Sequence, residues 1–162
     1  MITARHSELI LCPLADVYGV LACYTFDEFW RKNVQLTEQS TPGLARSGGR
    51  LRQVMQLLGQ DMAVEAEVTA AALNRRVAYE SVGGPLELWD QRTFERVEKA
   101  TRVTFELSVE LRGWQRLMAP LLVHQLEQLV RADLQAASTL ITTTPNVLVE
   151  LSQRASGFSP NG

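Results

Sequence analysis

The chain has 162 residues, of which 46% are hydrophobic and 21% are charged, and its formal net charge is −2. This balance is typical of a globular protein, and we expect one domain over residues 1–144 followed by a flexible tail over 145–162. A net charge so close to zero excludes a global basic field for nucleic acid. No apolar run is long enough to span a membrane, and the absence of a signal-peptide pattern predicts a cytoplasmic protein.

A strand and two short helices are predicted first. Residues Ser7–Cys12 alternate weakly, as in a β-strand, before Pro13 ends the pattern. Apolar residues at helical spacing then predict a helix over Pro13–Tyr24, and a second short helix follows in the sequence FDEFWRKN. The spacing in this second helix predicts that its charged residues face outward: Asp27, Glu28, Arg31 and Lys32.

Six further strands, separated by turn signals, are predicted after the helices, which makes seven in all. Their ranges are Val34–Gln39, about Arg50–Leu58, Met62–Ala70, Arg76–Val82, Leu86–Val97 and Thr101–Arg112. The pairs Gly83-Gly84 and Glu98-Lys99 are hairpin signals, so we expect mostly antiparallel pairing. Apolar and polar residues alternate in the last strand, so one face of the sheet must be covered.

The longest helical pattern lies over Trp114–Ile141, with apolar residues on one face. Pro120 cannot donate a backbone hydrogen bond within a helix, so we expect a short first piece, Trp114–Ala119, and a gripping helix from Pro120 onward. The sequence after this helix is rich in turn residues, although apolar side chains such as Leu151 leave docking of the tail open.

Several motifs in this order resemble the SRPBCC (START-like, polyketide cyclase/dehydratase-like) family. They are ILCPLADVYGVL, FDEFW, NRRVAYES, RTFERVEKATRVTFELSVEL and RGWQRLMAPLL, and they cover about Ser7–Ile141. The resemblance implies an α+β helix-grip fold, in which a seven-stranded curved antiparallel sheet surrounds a long C-terminal helix, with two short helices after the first strand. It also implies a cavity for an apolar molecule between sheet and helix. It does not imply chemistry, because the family has no shared catalytic signature.

The Glu98-Lys99 turn predicts which side chains point into this cavity. It pairs Asp90 with Leu107 and Arg92 with Phe105, so both charged residues face inward with their apolar partners. A slip of one residue would reverse this assignment. Because buried charges need polar partners, the two residues are candidates for binding the polar end of a ligand. The alternative is an ion pair at the end of a strand, open to water.

The Gly83-Gly84 turn, by the same reasoning, places Tyr79 opposite Leu88 and pointing inward, either as a ligand contact or as a core residue. Trp30 and Trp114 lie at the ends of elements, where a cavity mouth would be. The predicted ligand-binding residues are therefore Tyr79, Asp90, Arg92, Phe94, Phe105, Leu107, Trp30, Trp114, Met118 and Leu122.

Three functions stay open from the sequence. The favoured one is binding of a hydrophobic, lipid- or polyketide-like small molecule in the cavity. The first alternative is a polyketide cyclase/dehydratase-type enzyme that uses Tyr79, Asp90 and Arg92 as polar groups, with no catalytic residue assigned. The second is a protein-interaction module with a filled cavity.

The sequence predicts no metal and no cofactor, because His6 and His124 have no Cys or acidic residue at ligand spacing. We expect no nucleic-acid partner and no integral membrane association, and a homodimer is left open.

Overall fold

The computed structural model describes residues 1–57, 59–84 and 86–156, and all elements below belong to these ranges. The strands are β1 (Ile2–Ile10), β2 (Val34–Gln39), β3 (Arg50–Leu57), β4 (Gln60–Ala72), β5 (Arg76–Ser81), β6 (Leu88–Val97) and β7 (Ala100–Val109). The helices are α1 (Leu14–Leu21), α2 (Ala119–Thr143) and α3 (Val147–Ala155), with 3₁₀ helices over Tyr24–Phe29 and Gly113–Met118.

The strands form one antiparallel sheet in the order β1-β7-β6-β5-β4-β3-β2. Strands β2 to β7 follow one another as hairpins, and β1 joins the edge beside β7. The alternation predicted for β7 places its apolar residues, among them Phe105 and Leu107, on the buried face. With α2 packed on that face, this is the predicted α+β helix-grip architecture, a curved sheet around a long C-terminal helix.

Several strands differ from their predicted bounds, and β1 and β6 show why. β1 begins at Ile2 rather than Ser7, because it pairs with β7 from Ile2 opposite Val109 to Ile10 opposite Thr101. The predicted strand of Leu86–Val97 begins only at Leu88. Pairing with a neighbour, rather than local alternation, therefore sets where these strands begin.

The register of the β6–β7 hairpin is as predicted. Asp90 pairs with Leu107 and Arg92 with Phe105, around a turn in which Glu98 has a φ of 56°. The β5–β6 register was predicted wrongly by two residues, since Tyr79 pairs with Asp90 rather than with Leu88. The connection between these strands is longer than the two-residue turn assumed. A shift of two keeps every side chain on its face, so Tyr79 still points inward.

Helix α2 begins at Ala119, with Pro120 in its first turn, and follows the 3₁₀ helix over Gly113–Met118. The predicted division of the long pattern at Pro120 is thus confirmed. The helix packs mainly against β1. Its buried side chains start at Leu122 and continue to Ile141.

The tail predicted to be flexible forms helix α3 over Val147–Ala155, which corrects that expectation for these residues. Val147 and Leu151 are buried. Leu148 packs so closely on α1 that a Cβ added at Gly19 would lie 2.8 Å from its Cδ2 atom. Docking, the alternative left open, explains the order of this segment, while residues 157–162 lie outside the described part. No helix in the described ranges has the length and hydropathy needed to cross a membrane.

Candidate functional site

Seven of the ten predicted ligand-binding residues lie together in the interior, and each is at most 6% exposed. Six of them come from adjacent strands of the sheet, and Trp30 follows the first 3₁₀ helix. The seven are Tyr79, Asp90, Arg92, Phe94, Phe105, Leu107 and Trp30. The structure therefore brings these seven predicted residues close together. It surrounds them with other side chains rather than with an open cavity.

Five charged residues meet at the centre of this interior and are called the charge cluster: Asp27, Arg31, Asp90, Arg92 and Asp133. Arg92 binds Asp27 with two parallel hydrogen bonds, from Nη1 to Oδ1 at 2.8 Å and from Nη2 to Oδ2 at 2.7 Å. Its Nη2 atom also donates to Asp90 Oδ2 at 3.0 Å. This bidentate geometry is the strongest arrangement available to a guanidinium and a carboxylate.

Arg31 is the second cation of the cluster. Its Nη1 atom lies 3.4 Å from both Asp27 Oδ2 and Asp90 Oδ2, and its Nε atom lies 3.5 Å from Asp133 Oδ2. Asp133 also accepts a hydrogen bond from the backbone N–H of Lys32 at 3.4 Å. Asp133 lies on α2, so these contacts join the long helix to the segment after the first 3₁₀ helix.

Neutral polar groups complete the cluster. Gln53 on β3 donates to Asp27 Oδ2 at 2.8 Å and accepts a hydrogen bond from the Tyr79 hydroxyl at 2.6 Å. Arg92 Nη1 donates to the carbonyl oxygen of Leu21 at 2.8 Å. Tyr79 and Arg92, two of the proposed polar ligand contacts, are therefore already bound to protein groups.

Aromatic rings surround the guanidinium of Arg92. Its carbon atom lies 4.8 Å from the ring centre of Tyr24, 4.9 Å from that of Trp30 and 5.3 Å from that of Phe105. Cation–π contacts of this length stabilise a desolvated guanidinium. The aromatic rings thus fill space that the sequence prediction gave to a ligand.

Burial controls the proton affinities in the cluster. It raises the pKa of the Tyr79 hydroxyl, and it raises the pKa of Asp90 against the attraction of Arg92. It also raises the pKa of Asp133 to about 6, against the attraction of Arg31. Tyr79 therefore keeps its proton at neutral pH, and Asp133 is the carboxyl of the cluster whose pKa is raised to near neutrality.

Three members of the cluster were missed or misplaced by the sequence reasoning. Asp27 and Arg31 were predicted to face outward, but they are 0% and 1% exposed. Asp133 was not singled out, although it falls on the apolar face of α2 beside Val130 and Leu134. A charge within an apolar helical face is the signal that could have found it. The predicted alternative of a water-exposed Asp90–Arg92 pair is wrong, because each residue is only 1% exposed.

The remaining predicted residues lie on the long C-terminal segment. Trp114 and Met118 belong to the second 3₁₀ helix and are exposed, whereas Leu122 is the first buried residue of α2. Leu122 belongs to the same hydrophobic core as the interior residues, whereas Trp114 and Met118 do not join it. Trp30, expected at a cavity mouth, is instead buried in the core at 4% exposure.

A cleft of about 440 Å³ opens between α2 and the end of β3. Its lining combines polar and apolar side chains: Lys32, Asn33, Gln56, Leu57, Gly59, Gln125, Leu126 and Leu129. Lys32 connects the cleft to the charge cluster through its bond to Asp133. The cleft lies between sheet and helix, as the family resemblance implies, but beside the cluster rather than in its place.

Asn33 gives this cleft a specific polar feature. Both polar atoms of its side chain, Nδ2 and Oδ1, are buried and find no hydrogen-bond partner within the described ranges. Buried amide groups normally have partners. Asn33 lines the cleft, so a rotation of its side chain would bring one donor and one acceptor to a molecule bound there. Among the residues described, no group of His, Cys, Asp and Glu is arranged to hold a metal ion.

No family model matches this chain, and no curated protein matches it in sequence. Solved structures do match. Protein TTHA0849 from Thermus thermophilus is 21% identical, with a TM-score of 0.72 over 93% of this chain and 99% of that one. The di-domain ARO/CYC BexL from the BE-7585A biosynthetic pathway is 16% identical, with a TM-score of 0.68 over 89% of this chain and 48% of that one.

A third match is the Aha1 dimer from Colwellia psychrerythraea, which is 16% identical with a TM-score of 0.61 over 88% of this chain and 98% of that one. At these identities the matches establish the fold alone. The START-like helix-grip fold predicted from the sequence motifs is thereby confirmed.

Proposed function

We propose that this protein binds a small, mostly apolar molecule with one polar end in the cleft between β3 and α2. The observation that carries the proposal is the pairing of apolar walls, Leu57, Leu126 and Leu129, with the amide of Asn33, which has no partner among the described residues. Small-molecule sites usually combine an apolar lining with a few oriented polar groups, and the cleft volume is in their usual range.

The chemistry of Asn33 narrows the ligand class. A hydroxyl or carbonyl oxygen can accept a hydrogen bond from Nδ2, and a hydroxyl can also donate to Oδ1. Lys32 and Gln56 add polar atoms at the same cleft. A lipid- or polyketide-like molecule with an oxygen function at one end fits this lining.

The predicted contact residues take different roles in this proposal. Leu122 precedes Leu126 by one helical turn and packs in the core beneath the cleft lining. Trp114 and Met118 lie before it on the same segment, at the approach to the cleft. The seven interior residues hold the sheet and the short helices together, and the ligand does not reach them.

The state of the polar interior groups favours binding over the cyclase alternative. The Tyr79 hydroxyl donates a hydrogen bond to Gln53 Oε1, and burial raises the pKa of this hydroxyl. Arg92 is held by Asp27 and Asp90. General acid or base catalysis needs a group with a suitable pKa within reach of the substrate, and these groups are engaged with one another.

The test is displacement of a fluorescent probe, 8-anilinonaphthalene-1-sulfonate, by 1-decanol and by n-decane. We expect Leu129→Trp to fill the cleft and to weaken decanol binding by roughly ten-fold or more. Val149→Trp places the same side chain at an exposed position of α3 and should leave binding unchanged. Equal effects of the two substitutions would overturn the proposed location.

A second variant tests the role of the amide. Asn33→Leu should abolish the preference for decanol over decane, because it removes the donor and the acceptor, while decane binding persists. A preference that survives in this variant would remove Asn33 from the site. Native mass spectrometry of protein purified from its own host would then identify the ligand class by its mass.

A further inference from the structure

Four large apolar side chains are exposed side by side ahead of the cleft and are called the apolar stripe. Trp114 is 69% exposed, Leu117 85%, Met118 39% and Leu121 48%. Their spacing of three and four residues places them on one side of the segment that runs from the second 3₁₀ helix into α2. A contiguous exposed patch of this kind marks an interaction site.

The stripe leads directly into the cleft. Gln125 and Leu129 follow Leu121 at successive steps of four residues along α2, and both line the cleft. Leu126 follows Met118 by eight residues and lines it too. A track that is apolar except at Gln125 therefore runs from the exposed surface to the proposed binding site.

The segment that carries the stripe is positively charged in sequence, since Arg112 and Arg116 flank Trp114 and no acidic residue lies between Glu110 and Glu127. Arg112 is neutralised by its pair with Glu87, while Arg116 donates a hydrogen bond from Nε to the carbonyl oxygen of Leu111. The Arg116 cation beside exposed Trp and Leu is complementary to an anionic lipid surface.

The charge of the stripe argues against a second copy of the chain. In a symmetric pair the stripe would face its own copy and bring like-charged arginines together, and the sequence has no acidic residue between Glu110 and Glu127 to offset them. On a bilayer surface a few apolar side chains can enter the headgroup region while the arginine heads stay at the phosphates.

We propose that the apolar stripe docks this protein on an anionic lipid bilayer, with the cleft opening beside the membrane. This goes beyond ligand binding and does not depend on it, since a protein with a filled cleft would dock equally well. The docking is peripheral, and it gives an apolar ligand a path between the membrane and the cleft that avoids water.

The test is flotation of the full chain with vesicles of equal parts phosphatidylcholine and phosphatidylglycerol. The variant Leu117→Ser/Leu121→Ser should lower the vesicle partition coefficient roughly ten-fold or more. The matched control is Leu11→Ser/Leu73→Ser, which changes leucines that are 75% and 68% exposed elsewhere on the surface. It should leave the partition coefficient unchanged.

Two further readouts define the mode of docking. Wild-type binding to vesicles of phosphatidylcholine alone should be about five-fold weaker, because Arg116 loses its anionic partner. Tryptophan fluorescence should shift to shorter wavelength on binding, and Trp114→Phe should remove the shift, because Trp30 is buried and Trp89 is half-buried.

The proposal is overturned if the wild-type protein does not float with vesicles, or if the control variant loses as much binding as the stripe variant. Sedimentation velocity tests the alternative that a second copy of the chain, rather than a membrane, binds the stripe. A wild-type dimer that the stripe variant converts to monomer, without vesicle binding, would assign the stripe to a second copy of the chain. Leu129→Trp should retain flotation, so that a failure of ligand binding and a failure of docking are distinguished.

Discussion

The two halves of α2 are held differently. The second half, called the fixed half, buries Leu134 and Ala137 against the fold, and Asp133 bonds it to Arg31 and Lys32. The first half has Pro120 in its first turn, packs on one side through Leu126 and leaves Leu121 about half exposed on the other. Packing and charge therefore fix the second half, whereas the first half is held by packing on one side only and is exposed or borders the cleft on the other.

The difference indicates that one half of α2 serves the stability of the fold and the other half serves binding. A buried ionic cluster is poor evidence of net stability, because desolvation of the charges offsets much of their attraction. It does fix one packing arrangement, since any other leaves a charge buried without a partner. We infer that the cluster sets the position of α2. The exposed side of the first half of the helix can then form one wall of the cleft and carry the apolar stripe.

Breaking the cluster should have the largest effect on the fixed half. Arg92→Met would leave Asp27 and Asp90 buried without their main partner, and we expect a loss of about 3–5 kcal/mol in the free energy of unfolding, measured by urea denaturation. Arg102→Met breaks an exposed pair with Glu95 and should cost no more than about 1 kcal/mol. Similar losses in the two variants would show that the cluster does not hold the fold.

Most of the fold could be predicted from the sequence, because its signals are local. Alternation in β7, the Glu98-Lys99 turn and the position of Pro120 gave the sheet face, the β6–β7 register and the start of α2. The inward direction of Asp90 and Arg92 followed from that register. These features depend on spacing within one element or one hairpin, which a single sequence contains.

The charge cluster could be predicted only in part. Its members come from the first 3₁₀ helix, the following segment, β6 and α2, and no spacing rule links these regions. Asp27 and Arg31 were placed outward because charged residues on a short helix are usually exposed. The sequence also could not predict how much of the space between sheet and helix is filled by side chains. That volume depends on how Tyr24, Trp30 and the guanidinium groups of Arg31 and Arg92 pack in three dimensions.

A pair of leucine truncations compares the exposed side of the first half of α2 with the buried side of the second. Leu134→Ala removes a side chain that is 0% exposed, and it should cost about 2–5 kcal/mol in the free energy of unfolding. Leu121→Ala removes one that is 48% exposed, and it should cost less than about 1 kcal/mol. Equal costs in urea denaturation would mean that the Leu121 side chain packs as tightly as that of Leu134.

The proton affinity of Asp133 offers the finest test of how the fixed half is held. Burial raises its pKa from 3.8 to about 6, so the folded state binds this proton more tightly than the unfolded state does. The associated stability is present below about pH 4 and is lost as the pH rises to about 6. The wild-type protein should lose on the order of 3 kcal/mol over that interval through this group.

Other groups titrate over the same interval, so the measurement is the difference in free energy of unfolding between Asp133→Asn and the wild type. That difference should rise in favour of the variant by on the order of 3 kcal/mol between pH 4 and pH 7. Asp61→Asn makes the same substitution at an exposed aspartate and serves as the control for it. If the Asp133→Asn difference is flat with pH, the carboxylate is not desolvated, and water must reach the contact between α2 and Arg31.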